Sequence, residues 1–384
     1  MNIRQSYAVI NAVNSQLWGE EAIQVTDLTG LVSLGNTVMS SNTSVDKYLG
    51  VLADRIGKTI LRTLPVTSKY ADFLVDKITF GAAVQKINIA PFDAKEANYW
   101  KVGEEGFTPQ NFAINKPTVT QKIFSDINSY EFDVSIPDRL LETAFTSEAG
   151  LQSFLAGIMD ALTASVTNAV NASGQIALIN FIGEKIHAEN GIVNLLSEYN
   201  TAYGLTGASA LTADKALTDA AFLKFSNMLI AKFVKYLAEP STLYNVDGML
   251  RATSRENMHV IMLTDYVAAS KALMQSDTFN KDLVELPMYK EINYLQGSGT
   301  TAPTFANNSK IDITTSSGAS VSASGIVGVL ADRMAIFTMF DKRKIDTDRN
   351  NHDEYTNYCS KVAIRYANDL GENGIIFVIQ DPTT

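Results

Sequence analysis

Residues 326–379 read IVGVLADRMAIFTMFDKRKIDTDRNNHDEYTNYCSKVAIRYANDLGENGIIFVI, and their pattern decides the fold class. Residues 326–330 are apolar and largely β-branched, 334–340 are of similar character, 360–366 alternate polar with apolar, and 374–379 form a continuous apolar run. Short runs of this kind predict strands. Between them lies DKRKIDTDRNNHD, residues 341–353, in which both charge signs interleave and only Ile345 is apolar. That composition fits a solvated hairpin or strand extension, or an ion-pair belt between subunits in which Lys342, Arg343, Asp346 and Arg349 are the candidates. Closing strands without an obvious catalytic group build a scaffold.

Working back from there, residues 315–325 are rich in Ser and Gly and read as a flexible surface loop. Residues 218–238 place Phe222, Phe225, Leu229, Phe233 and Leu237 on one helical face, with Pro240 beyond the end. A strand at 259–263 and a helix at 265–274 follow. The clearest stripe is Leu151, Phe154, Leu155, Ile158, Leu162, Val166, Ala169 and Val170, which predicts a helix over 151–172, roughly 33 Å long. Strands and helices mixed in this way predict an α+β fold.

Residues 72–129 have a different character. Ile78, Phe80, Val84, Ile87 and Ile89 lie in strand-like runs, and 118–124 supplies the return strand. The intervening tip holds Pro91, Gly103, Gly106, Pro109 and Pro117, so the segment reads as a long projecting β-hairpin. A two-stranded hairpin is marginal alone in water, and its aromatics Phe92, Tyr99, Trp100, Phe107 and Phe112 need cover, from their own domain or from a neighbouring subunit. Residues 45–60 carry a helical repeat, Leu49, Leu52, Ile56 and Ile60. Residues 1–45 show no sustained period and are expected to form an extended arm that orders on assembly.

Length and composition exclude several classes. The chain has 384 residues, 46% hydrophobic and 19% charged, so it buries a large core and is neither disordered nor membrane-like. The low charge fraction hints at surface covered by partners. A formal net charge of −10 argues against binding driven by phosphate neutralisation, although a container for DNA need not adhere to it. Cys359 is the single cysteine, which rules out an intrachain disulfide or a multi-cysteine metal site. The first residues lack a signal-peptide pattern, and no run approaches the ~18 apolar residues of a membrane span, so the protein is expected to be made and used inside a cell or released by lysis.

Chemistry-bearing residues are sparse. His187, His259 and His352 are far apart, without metal-ligand spacing, and read as structural. Glu104 and Glu105 are adjacent carboxylates between Gly103 and Gly106. Neighbours in an extended chain point to opposite sides, which suits a solvated turn better than acid and base work on one bond. Nucleophile-elbow, Walker and GxGxxG patterns are missing from the sequence. The echo VLADR at 51–55 and 329–333 is too short for a repeat. Arg333 there is a candidate ion-pair anchor near a domain junction. No catalytic, cofactor-binding or metal-binding residue is assigned.

The strand running into Gly328-Val-Leu-Ala-Asp-Arg333, a second strand, a charged stretch, then Asn357 ahead of Val362-Ala-Ile-Arg365 and a last apolar strand resembles the carboxyl-terminal region of tailed-bacteriophage major capsid proteins. Ile136-Pro-Asp-Arg-Leu-Leu141 followed by the long helix resembles that family's entry into its spine helix. The resemblance implies the Hong Kong 97-type fold: arm at 1–45, extended loop at 72–129, peripheral domain from 46–71, 130–210 and 326–366, and axial domain from 211–325 and 367–384. It implies a subunit that assembles as hexamers and pentamers into an icosahedral shell around phage double-stranded DNA, in a virion built in the host cytoplasm. A separate scaffolding protein and a portal protein are implied as partners. Phe92, Trp100, Glu104, Glu105 and Phe107 of the hairpin, Arg333 and the charged stretch are then the candidate intersubunit contacts. A cellular nanocompartment shell of the same fold, or a β-rich carbohydrate-binding or adhesive protein, is the alternative.

Overall fold

The structure, a computed structural model, describes residues 3–19, 23–38, 40, 47–48, 51, 70–73, 84–89, 91–92, 116–124, 127–137, 139, 148–277, 289–296, 304–350 and 352–381. In chain order the main elements are α1 (Ile3–Trp18), α2 (Leu28–Val38), β1 (Val84–Ile89), β2 (Val119–Phe124), β3 (Ile127–Pro137), α3 (Glu148–His187), β4 (Ile192–Asn194) and α4 (Leu195–Ala202). They continue with α5 (Ala220–Leu237), β5 (Met258–Leu263), α6 (Thr264–Asp277), β6 (Lys290–Ile292), β7 (Ile311–Thr314), β8 (Ser320–Ala323), β9 (Ile326–Asp332), β10 (Ile336–Asn350), β11 (Tyr355–Asn368) and β12 (Gly374–Val378). The chain divides into two compact units, Met1–Thr79 with Ile127–Ile176 and Thr338–Tyr366, and Phe80–Asp126 with Ala177–Phe337 and Ala367–Thr384.

In the first unit a sheet of order β10-β11-β3 lies against α3. Alternation along β3 turns Tyr130, Phe132 and Ile136 away from solvent and leaves Ser129, Glu131, Asp133 and Ser135 exposed. Tyr130 and Phe132, with Val362, Ile364 and Phe340, pack on Val166, Ala169 and Val170 of the helix, part of the apolar stripe legible in the sequence. A hydrogen bond of 3.0 Å joins the Tyr130 and Ser173 hydroxyls. The charged stretch is a strand extension: β10 continues through it to Asn350, and a turn at 352–354 leads to β11. Asn350 organises that turn, its Oδ1 accepting from the His352 backbone N–H at 2.9 Å and its Nδ2 donating to Asp353 at 2.9 Å.

Two readings of the first unit need correction. Residues 1–45, expected to be extended, contain α1 and α2. The buried face of α1 includes asparagines, which break the apolar period and bond to the backbone of a short segment that follows. Asn11 exchanges two hydrogen bonds with the Val25 backbone at 2.7 and 3.0 Å, and Asn14 donates to Ile23 O at 2.7 Å. The helix expected at 151–172 runs on to His187, 40 residues in all and about 60 Å long. Gly174 does not end it. A Cβ there would lie 2.5 Å from the Tyr70 Cβ, so glycine serves close packing within the helix. The candidate helix at 45–60 lies almost wholly outside the described residues.

The second unit is organised by a five-stranded sheet of order β4-β12-β9-β5-β6. β9 and β12 are buried along almost their whole length, as continuous apolar runs require when both sheet faces are covered. They pair antiparallel with each other, and β9 pairs antiparallel with β5. The expectation that all of 326–366 belongs with the spine helix and the peripheral sheet therefore fails for β9, whose apolar residues find cover on both sides here. Helices α4, α5 and α6 pack their apolar faces on one side of the sheet through Leu195, Phe222, Ile230, Tyr266 and Val267. Asp219 caps α5 by accepting from Phe222 N at 2.8 Å. Residues 315–325, expected to be a loop, supply β8, which pairs with β7 across a turn at Gly318. Val321 is buried, which anchors the strand.

The last turn of α3 buries Lys185 completely, with its Nζ donating to Asn190 Oδ1 at 2.6 Å and Tyr244 O at 2.7 Å. Burial pushes this amine down to about 8. A group whose folded value is depressed contributes stability that is present above its unfolded value, near 10.5, and is lost as pH falls through the folded one. Raising the pH from 7 to 10 should therefore raise the melting temperature of the wild type relative to Lys185→Met. Thermal melts of both proteins across that range check it, and parallel curves contradict it.

Candidate functional site

β1 and β2 form a two-stranded antiparallel ribbon with Ile89 opposite Val119, Ile87 opposite Gln121 and Lys86 opposite Lys122. Each strand alternates between a charged or polar set and an apolar set, so one face of the ribbon carries Lys86, Asn88, Thr120, Lys122 and Phe124. The other carries Ile87, Ile89, Val119 and Ile123, with Gln85 and Gln121 among them. The orientation is inverted relative to an ordinary sheet surface. The polar face meets the body of the second unit, while Ile87, Ile89, Val119 and Ile123 are 60, 60, 51 and 63% exposed. Phe92, just beyond β1, is 77% exposed. Four aliphatic side chains held out on one strand pair form a largely apolar face without cover from the described residues.

Ions hold the inward face. Lys86 Nζ donates to Asp369 Oδ2 at 2.6 Å and to Glu372 Oε1 at 2.5 Å, and Lys122 Nζ donates to Asp369 Oδ1 at 2.7 Å and lies 2.6 Å from Asp247 Oδ2. Arg251 Nη1 donates to Glu372 Oε1 at 2.7 Å. The Phe124 ring meets Phe337 edge-on, with centroids 5.3 Å apart. Burial alone would raise the Asp369 carboxyl, but the Lys122 and Lys86 donors outweigh it and hold it below the usual carboxylate range. Burial alone would lower Lys122, and its bonds to Asp247 and Asp369 raise it instead. The Asp369–Lys122 pair is thus ionised at neutral pH, and the contribution of Asp369 is lost as pH falls through its depressed carboxyl value. A Cβ at Gly371 would come within 2.5 Å of Lys122 Nζ and closer still to the Asp247 carboxylate, so a side chain there would push that ion pair aside.

The residues singled out from sequence are distributed as follows. Trp100, Glu104, Glu105 and Phe107 lie outside the described residues. Lys342, Arg343 and Arg349 are in β10, and their side chains are likewise outside what is described. Asp346 sits on the first unit's sheet with Lys344 Nζ at 2.7 Å and Lys361 Nζ at 3.9 Å, and Lys344 holds its carboxyl below the ordinary value. Arg333 is exposed on the turn between β9 and β10, its backbone N–H donating to Asn257 O at 2.7 Å. Asp332 beside it accepts from the Thr253 hydroxyl and the Met334 N–H, each at 2.8 Å. The sequence reading missed Lys86, Lys122, Asp247, Arg251, Asp369 and Glu372. The available signal was the repeated Lys-Ile step, 86–87 and 122–123, which puts charge and apolar bulk on opposite ribbon faces.

Cys359 lies beside Glu131 and Asp133, with Sγ 2.5 Å from Glu131 Oε1. The bond to Glu131, burial and Asp133 push the thiol up to about 11, which keeps it protonated and makes it a poor ligand or nucleophile. The histidines stand apart on α3, β5 and the 352–354 turn. Among the described residues, no helix is long and apolar enough to cross a membrane.

The comparisons with known proteins agree with this scaffold character. The chain is 25% identical over 170 residues to the major capsid protein of Bacillus phage B103, and equally so to that of Bacillus phage PZA. The B103 match covers 42% of this chain and 35% of the relative, so the chain spans about a third of the curated proteins it matches. A chain in the capsid structure of Staphylococcus phage Andhra superposes with a TM-score of 0.53 at 8% identity, covering 82% of this chain and 85% of that one. The fold is the α+β capsid fold of Hong Kong 97 type. The nanocompartment and carbohydrate-binding alternatives are set aside. With the family model matched from residue 9 to residue 378, this chain belongs to the Phi29-like phage major capsid protein family.

Proposed function

We propose that the chain is the repeating subunit of a closed icosahedral shell, assembled from its own hexamers and pentamers, that encloses phage double-stranded DNA. The observation that carries this reading is the outward apolar face of the β1–β2 ribbon, which has a use if a second copy covers it. Covering those four side chains supplies about 1 kcal/mol or more each. Many such contacts, linked through one shell, become effectively intramolecular after the first, so each can be weak while the whole is stable.

In this reading the first unit, residues 1–45 included, is the peripheral domain, and the second is the axial domain. Contacts between copies come from the hairpin, with Phe92, Trp100, Glu104, Glu105 and Phe107, and from Arg333 and the charged strand with Lys342, Arg343, Asp346 and Arg349. The role is structural, without catalysis or a cofactor. A separate scaffolding protein and a portal protein join the assembly in the host cytoplasm. The net charge of −10 accords with containment of DNA rather than tight adhesion to it.

Sedimentation and negative-stain microscopy of the purified chain over a concentration series test the proposal. Large closed particles should appear above a sharp concentration threshold. A monomer or small oligomer at every concentration overturns it.

A further inference from the structure

The β1–β2 ribbon is fastened to its own unit mainly by charge, and the fastening converges on one residue. Lys86 and Lys122 stand directly opposite each other across the ribbon, an arrangement that drives strands apart unless something compensates it. Asp369 lies between them with its side chain wholly removed from solvent, one oxygen at 2.6 Å from Lys86 Nζ and the other at 2.7 Å from Lys122 Nζ. The carboxylate is itself held in place. Its Oδ1 also accepts from Gly371 N at 3.0 Å, and the Asp369 backbone N–H donates to Ala335 O at 2.8 Å. Glu372 then serves Lys86 and Arg251, and Asp247 serves Lys122. The charged groups around Asp369 thus come from β1, β2, the 247–251 loop and the 369–372 turn.

We propose that Asp369 is the positioning residue of the ribbon: it seats the facing lysine pair and so sets the direction in which Ile87, Ile89, Val119 and Ile123 are presented to the next copy. This rests on the reading of that face as a contact between copies. The sheet of the second unit is held by buried apolar strands and does not depend on the pair. Asp369 therefore acts on the ribbon's seating, with the fold of the unit left intact.

Hydrogen exchange on the full chain, kept below its assembly threshold, tests the seating. In Asp369→Asn, the amides of 84–89 and 119–124 should exchange about tenfold faster or more, while those of β5, β9 and β12 stay within about twofold of wild type. Adding Lys122→Met to that variant removes one of the two facing charges and should restore most of the ribbon's protection. Unchanged exchange at the ribbon, faster exchange spread through β5, β9 and β12, or failure of Lys122→Met to rescue each overturns the assignment. Above the threshold, Asp369→Asn should give irregular particles or particles of altered size. Normal shells from a subunit with a freed ribbon overturn the link to geometry and leave the shell reading standing. Failure of the wild type to assemble removes the shell reading and leaves the exchange result on the subunit intact.

Discussion

Replacing Ile87 by Lys together with Ile123 by Glu should abolish shell formation and leave the isolated subunit folded. Both side chains are about three-fifths exposed in the subunit, so little apolar burial is lost within the chain. Surface changes of this kind fall within about 0.5 kcal/mol, or roughly 2 °C in melting temperature for a chain of this size. Gln85 faces Ile123 and Ile87 faces Gln121, so the two new charges sit diagonally with opposite signs and do not push the strands apart. At a contact between copies the same changes remove two aliphatic anchors and force charged groups out of water, at a cost of several kcal/mol per ion when unpaired. Every ~1.4 kcal/mol shifts the association constant tenfold, so the assembly threshold moves beyond accessible concentrations. Sedimentation and a thermal melt of the same sample read both halves. Normal shells, or a subunit that no longer melts cooperatively, contradict the expectation.

Phe377→Ala should have the opposite profile, a subunit too unstable to accumulate. Phe377 is fully buried in β12, with Gly328 of β9 and Val193 of β4 as its register partners, and its ring lies 6.0 Å from that of Phe233 on α5. Removing a buried phenylalanine side chain costs about 3–5 kcal/mol, because the transfer energy is lost and the cavity collapses only in part. That is a large share of the roughly 5–15 kcal/mol that holds a domain together. Urea denaturation of the unassembled chain measures it, and a loss under about 1 kcal/mol would show that this sheet is not the core of its unit. The pair separates two roles. Ile87 and Ile123 matter between copies, while Phe377 matters within one.

How much of this could be read beforehand depends on the range of the information. The apolar runs of β9 and β12 announced two-sided burial, the phenylalanine stripe announced α5, and the Val166, Ala169 and Val170 stripe announced which side of α3 meets a sheet. The arm's two helices were hidden because Asn11 and Asn14 occupy the buried side of α1 and find their partners in the backbone of 23–25. The continuation of α3 was hidden because a glycine inside a helix is indistinguishable, in sequence, from one that stops it. Tyr70, about a hundred positions earlier, supplies the difference.

The candidate site was legible only in halves. Hairpin strands could be placed, and their alternation assigns Ile87, Ile89, Val119 and Ile123 to one face, Lys86 and Lys122 to the other. Nothing local says which face turns inward. A period of two specifies two faces, and ordinary burial would turn the isoleucines in. Asp369 reverses that choice from more than 240 residues away, by offering a buried carboxylate that the facing lysines need more than the isoleucines need cover. The amino-acid sequence by itself determined the ribbon strands, β9, β12, α5 and the apolar stripe of α3, because those depend on neighbours within a few positions along the chain. Only the tertiary structure decided that β9 joins β12 and β5, that α3 continues past Gly174, and that the ribbon shows its apolar face to water. Each of those is settled by a contact between residues that are distant in the chain, and such contacts leave no periodic trace in it.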